Sequence, residues 1–171
     1  MASNNKYGNR GLYFDISNNS ILPSSQVNPK DKKGNSNLAY FASQHEFEVF
    51  KLLHSTQMFC SVARQVKAEL IAPYTVDIYP KGKTWLIDYA ATTKDDRVFW
   101  IEAKGRILRE FPYQLALLQL AQPEIFNNLW IVFQQKIPRS LTKTLKNNTN
   151  LSLRVTTIRG LPQRLEMMNI L

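Results

Sequence analysis

Three charged residues lie inside stretches that otherwise read as core: Asp88 in TWLIDYAA, and Glu102 and Lys104 in VFWIEAKG. Side chains on a β-strand alternate faces, so Val98, Trp100, Glu102 and Lys104 share one side and Phe99, Ile101 and Ala103 the other. Burying a charge is costly unless it is paired or coordinated, which gives this set a reason to be functional. The chemistry open to it is metal-assisted hydrolysis of a phosphodiester. That reaction needs the phosphate neutralised, a hydroxide generated near neutral pH and the leaving oxygen stabilised, and a divalent cation serves all three. Mg²⁺ takes hard oxygen ligands and keeps several waters, so Asp88 and Glu102, with the backbone carbonyl of Ala103, suffice to place it, or Mn²⁺ in its stead. Lys104 would orient the attacking water and offset charge at phosphorus. Glu46, on a preceding helix, would complete the set through a metal-bound water or a second metal.

An isolated Glu-x-Lys is a weak signal, because an exposed sheet end readily carries opposite charges as a structural pair. The elements that must position these residues therefore matter. The strands are expected at Trp85 to Ala91 and Val98 to Lys104, joined by a polar turn over Thr92 to Arg97. A helix is expected from Leu38 to His54, with Phe47, Val49, Phe50 and Leu53 as its apolar stripe and Glu46 beside that stripe. His45 and His54, lacking ligand spacing, are expected at the helix surface. Phe59 to Ala72 reads as a long strand ended by Pro73, with Cys60 as a small core residue. Lys81-Gly82-Lys83 forms the next turn.

After Gly105, a largely buried helix is expected over Pro112 to Ala121. The apolar run Leu129 to Gln134 then returns as an interior strand, parallel to Val98 to Lys104 by a βαβ crossover. A short basic helix over Pro138 to Lys146, capped by Ser140, would carry Arg139 and Lys143 on one face. Ser152 to Ile158 reads as a strand, followed by a tail with Leu165, Met167 and Met168. The N-terminal stretch can form a small hairpin in which GLYFDIS and SILPS flank Asn18-Asn19, and residues 28 to 37 read as a basic linker.

The chain has 171 residues, enough for one domain with a core, and its hydrophobic fraction of 44% excludes a wholly disordered protein. No apolar run approaches the roughly 20 residues of a membrane span, and the polar start is not a signal peptide, so a soluble, cytoplasmic protein is expected. A single cysteine excludes an internal disulfide framework and a cysteine-rich zinc site. The net charge of +9 sits in the flanks: residues 1–36 hold five Lys/Arg against two acids, residues 105–171 nine against three, and residues 37–104 eight against eight. Such a surplus attracts polyanions, nucleic acid above all, although a solvated basic surface has the same composition. No internal repeat, P-loop, GxGxxG, GxSxG or Cys/His cluster occurs.

The order Ser43-x-x-Glu46, then Asp88 in LIDYA, then Glu102-Ala103-Lys104-Gly105 resembles the PD-(D/E)XK nuclease superfamily, of restriction-endonuclease-like fold. The resemblance covers about residues 38 to 135 and is nearest to small phage-encoded or transposon-type members, in which a glutamine often opens the first strand, as Gln65 would here. It implies a three-layer α/β/α domain with a mixed central sheet, spanning residues 37–171 behind a basic arm of residues 1–36. It further implies a Mg²⁺-dependent DNA endonuclease that leaves 5′-phosphate and 3′-hydroxyl ends, with Glu46, Asp88, Glu102, Lys104 and Gln65 as its catalytic set. Ile87 stands where many members have proline, and the helix after Gly105 lacks the inward lysine of some small members, offering Gln114 or Gln119 instead. Arg106 and Arg109, with Arg139, Lys143, Lys81 and Lys83, are the candidate DNA contacts. Double-stranded or branched DNA is the expected partner, and a homodimer matches the two-fold symmetry of a duplex. Two alternatives remain open: a catalytically inactive nucleic-acid-binding relative, and a homing or transposition nuclease subunit working with partners.

Overall fold

A computed structural model of the chain describes residues 11–23, 27, 38–139, 141–142 and 149–168. The chain is α/β, with a three-stranded antiparallel sheet and a five-stranded mixed sheet. It divides into two compact units, residues 1–48 and 49–171.

The first unit is built on β1 (Leu12–Asp15), β2 (Ser20–Pro23) and β3 (Leu38–Phe41) in the order β2-β1-β3. The expected hairpin is there. Asp15 pairs with Ser20, the Asp15 carboxylate accepts the backbone N–H groups of Ser17 and Asn18, and Asn19 turns the chain at φ 49°. Asn tolerates that left-handed conformation better than most residues. The expectation of a helix from Leu38 is corrected: Leu38 to Phe41 pair antiparallel with β1, and α1 (Gln44–Ser55) starts only after Ser43. LAYF alternates as a strand does, and its partner lies far back in sequence where helical periodicity gives no hint of it. Phe14, Phe41 and Phe47 pack ring to ring beneath this sheet. His45 is buried here, not at the surface as expected.

The second unit carries β4 (Phe59–Ile71), β5 (Lys83–Thr93), β6 (Val98–Lys104), β7 (Leu129–Phe133) and β8 (Val155–Thr157) in that spatial order. β4, β5 and β6 are antiparallel neighbours, whereas β6–β7 and β7–β8 are parallel, so the crossover between Lys104 and Leu129 delivers the parallel strand that was expected. That crossover holds α2 (Phe111–Ala121) and α3 (Pro123–Asn127). Only one side of α2 is covered, through Phe111, Leu115 and Leu118, while Leu120 is 82% exposed. All five residues of β7 are buried, as an interior strand covered on both faces requires. Phe50 lies against Tyr89 on one face and Phe111 against Trp85 on the other, so helices cover both sides of the sheet.

Three local expectations change. Cys60 is exposed, because the β4–β5 register slips between Phe59 and Ser61 and turns it out of the alternation. Ser152 and Leu153 end a short helix, α4 (Thr149–Leu153), and only Val155–Thr157 is strand. The tail is α5 (Leu161–Met168). Of the expected basic helix after Pro138, Ser140, Lys143 and Lys146 lie outside the described residues.

The core between β5, β7 and α2 is continuous, with Ile87, Leu118 and Ile131 fully buried. Leu118→Ala should therefore cost about 2–5 kcal/mol. Urea denaturation should show a lower midpoint with an unchanged slope.

Candidate functional site

In the second unit β5 and β6 stop pairing at one place, and Asp88 and Glu102 lie there. β5–β6 pairing runs from Thr92↔Val98 to Tyr89↔Ile101 and ends; the next positions in register are Asp88 and Glu102. Each carboxylate then takes a backbone N–H of the opposite strand. The Asp88 N–H donates to Glu102 Oε2 at 3.2 Å, and the Ala103 N–H donates to Asp88 Oδ2 at 2.9 Å. Side chains replace the ladder bonds, which satisfies buried N–H groups that would otherwise be costly to leave unpaired.

The strand faces change at the same point. Ala90 pairs with Trp100, on the Glu102 side, so alternation would turn Trp85 away from Glu102. Instead the Lys104 ammonium lies 5.8 Å from the centre of the Trp85 ring and 5.0 Å from that of Phe111. Ile87 belongs to the α2-side core while Tyr89 meets Phe50 opposite, which places the switch at Asp88. β4 switches beside it: the Arg64 guanidinium stacks on Phe50, Ala68 and Leu70 join the α2-side core, and Gln65 between them sits at φ 51°. Since Arg64 pairs with Tyr89 and Val66 with Ile87, Gln65 stands opposite Asp88 and donates through Nε2 to Asp88 Oδ1 at 3.3 Å. A non-glycine residue held at positive φ inside a strand is strained by about 1–3 kcal/mol, and such strain concentrates at functional sites.

Glu102 is 3% exposed and Asp88 9%. Burial raises the Glu102 carboxyl above the usual carboxylate range, opposed by the Lys104 charge and hydrogen bond, the Asp88 N–H and the Trp85 indole. Lys104 Nζ lies 2.6 Å from Glu102 Oε1. Its ammonium is thus held between one carboxylate and two aromatic faces, each cation–π contact worth about 0.5–2 kcal/mol. Trp85 and Phe111 were not among the sequence candidates. Period-two alternation puts Trp85 on the wrong side, and Phe111 opens a helix whose facing partner no local pattern names.

Glu46 belongs to the first unit, where it makes hydrogen bonds at the start of α1. Its carboxylate accepts the Ala42 N–H at 3.0 Å, while its own N–H donates to Ser43 Oγ at 3.1 Å. Ser43 thus caps α1, and Glu46 reaches back to the residue before the cap, a close variant of the capping box. Among the described residues no group of three or more His, Cys, Asp or Glu is placed to hold a metal. The donor set that does converge is the pair Asp88 and Glu102, with Gln65, Lys104 and the Ala103 backbone. Two carboxylates supply hard oxygens, a donor chemistry that suits Mg²⁺ or Mn²⁺ better than a softer ion.

Of the candidate DNA contacts, Arg106, Arg109, Arg139 and Lys81 are exposed and Lys83 is half-buried with its ammonium 5.2 Å from the Tyr79 ring centre; Lys143 lies outside the described residues. No helix among the described residues is long and apolar enough to cross a membrane. No protein-family model, curated protein or solved structure matches the chain.

The raised Glu102 carboxyl fixes a pH dependence. The native state holds that proton more tightly than the unfolded chain, so its contribution is complete below the unfolded value near 4.5 and is lost as pH rises through the higher folded value. Glu102→Gln removes this loss. Urea midpoints from pH 4 to 8 should show the variant gaining on the wild type as pH rises. For the cap, Ser43→Ala and Glu46→Ala should each lower stability by about 1 kcal/mol, and the double variant should lose less than the sum.

Proposed function

We propose that this protein is a metal-dependent DNA endonuclease, of the kind that its resemblance to the PD-(D/E)XK superfamily implies. The observation that supports the reading is the meeting of two buried carboxylates, one of them paired with a lysine, at the point where β5–β6 pairing ends. A structural charge pair has no need of a strained glutamine hydrogen-bonded to one carboxylate, or of an aromatic enclosure around the lysine.

Asp88 and Glu102 are the residues that would hold Mg²⁺ or Mn²⁺, with the Ala103 carbonyl as the backbone candidate. When bound, such an ion lowers the pKa of a water and offsets charge on the phosphate. Gln65 fixes the orientation of the Asp88 carboxylate through Oδ1, and the Ala103 N–H fixes it through Oδ2. Lys104 orients the attacking water and stabilises charge developing at phosphorus, while Trp85 and Phe111 restrict where its ammonium can go. Glu46 stays in its capping role. Arg106 and Arg109, exposed just past the motif, would meet phosphates, and the net charge of +9 favours a polyanion. A homodimer would let two such sites address both strands of a duplex.

A second reading has one observation in its favour: the 2.6 Å Glu102–Lys104 pair is also what an inactive, nucleic-acid-binding relative would keep for stability. Incubating supercoiled plasmid and branched DNA with and without Mg²⁺ separates the two. Metal-dependent nicking should appear in the wild type and fall at least about 100-fold in Lys104→Ala and Asp88→Ala. Glu46→Ala should retain activity at temperatures where it remains folded. Absence of metal-dependent cleavage of either DNA would remove the enzyme reading.

A further inference from the structure

The strands that carry the site extend past it into an arm. β5 is bonded to β6 only from Tyr89 to Thr92, but to β4 as far as Ile71↔Lys83. Joining β4 to β5 is the segment 72–82. It presents its apolar side chains outward, with Tyr74 91%, Ile78 78% and Val76 39% exposed, and none of the three belongs to the core cluster.

This segment is built and internally bonded. The Tyr74 N–H donates to the Pro80 carbonyl, Tyr79 to Val76, Gly82 to Tyr79, and Thr75 Oγ1 to Ala72. Gly82 adopts φ 72°, where a Cβ would meet the Ile71 carbonyl oxygen at 2.5 Å, so only glycine closes the turn. Tyr74 is held at φ 62°, a conformation that a bulky side chain adopts at an energetic penalty, and the result is a ring turned almost entirely to solvent. Two cations flank these side chains: Lys81 is exposed, and the Lys83 ammonium rests 5.2 Å from the centre of the Tyr79 ring. Asp77 is the segment's one acid.

We infer that this arm is a nucleic-acid contact, with Tyr74 and Ile78 wedging against or between bases while Lys81 and Lys83 meet the adjoining phosphates. Apolar side chains set beside lysines match the two chemistries of a duplex groove, where hydrophobic wedges enter at base steps and cations line the backbone. An apolar protein surface would match the wedge residues but would leave the lysines without partners. The inference rests on the proposed endonuclease reading for its partner and sets a length scale for it. Lys83 is five residues beyond Asp88 along one strand, about 17 Å at roughly 3.3 Å per residue. At about 3.4 Å per base pair the arm reaches on the order of five base pairs from the reacting phosphate.

The test uses the full chain, a fluorescein-labelled random-sequence duplex and Ca²⁺ in place of Mg²⁺, read by anisotropy across a salt series. Y74S/I78S should bind about tenfold more weakly with an unchanged salt slope. K81A/K83A should lower the slope by about two, one for each lysine. Tyr74 and Ile78 lie in the exposed segment, so Y74S/I78S should leave the thermal melt unchanged. K81A/K83A, which removes the half-buried Lys83 from the Tyr79 ring, is compared below its own melting midpoint so that misfolding stays out of the comparison. Y74S/I78S should also slow Mg²⁺-dependent cleavage of plasmid. Wild-type affinity and slope in both variants would overturn the inference while leaving the endonuclease reading intact if cleavage persists. A change in oligomeric state by light scattering, with DNA affinity unaltered, would assign the arm to a second copy of the chain and overturn it equally. Binding that depends on the arm without any cleavage would instead uphold the arm and remove the endonuclease reading.

Discussion

Two antiparallel strands part company at Tyr89↔Ile101, and two carboxylates occupy the gap. Asp88 and Glu102 each accept a backbone N–H of the other strand, so the charges are also the connectors that keep β5 and β6 in place beyond their ladder. Buried carboxylates in that position are destabilising by several kcal/mol unless compensated. The compensation available to Glu102 is the Lys104 ammonium, and around that pair lie the Trp85 and Phe111 rings. The proposed function draws on that tension, because a buried acidic pair is electrostatically receptive to added positive charge.

The same point reorganises the sheet. β4 and β5 both exchange faces there, β4 with Gln65 at a left-handed φ and β5 at Asp88. Upstream and downstream residues of one strand thus serve opposite cores, the Phe50–Tyr89 contact on one side and the Trp85–Phe111 contact on the other. Coupling a change of face to the end of a ladder lets three polar side chains meet without opening either apolar layer. It also frees the ends of β4 and β5 to continue as the arm that carries Tyr74 and Ile78.

Much of this was legible in the sequence. Charged residues in apolar runs marked Asp88, Glu102 and Lys104, and alternation placed Glu102 beside Lys104, as found. The α/β class, the β1–β2 hairpin and the parallel β7 followed from periodicity and from the crossover rule. What was not legible depended on partners distant in sequence. Leu38 to Phe41 is a strand because β1 accepts it, and Cys60 is exposed because a register slip turns it outward. Trp85 reaches Lys104 only because the faces switch at Asp88, which a period-two reading does not register. Glu46 shows the converse. Ser-x-x-Glu is a helix-start signal in its own right, and the geometry uses it as one.

The central claim is that Asp88 and Glu102 together form a cation site. Anomalous diffraction from crystals soaked in Mn²⁺ tests it directly. A peak about 2.0–2.3 Å from a carboxylate oxygen of each residue, absent in Asp88→Asn crystals, is the predicted result. A peak elsewhere, or full Mn²⁺ loading with no metal beside Glu102, would contradict it.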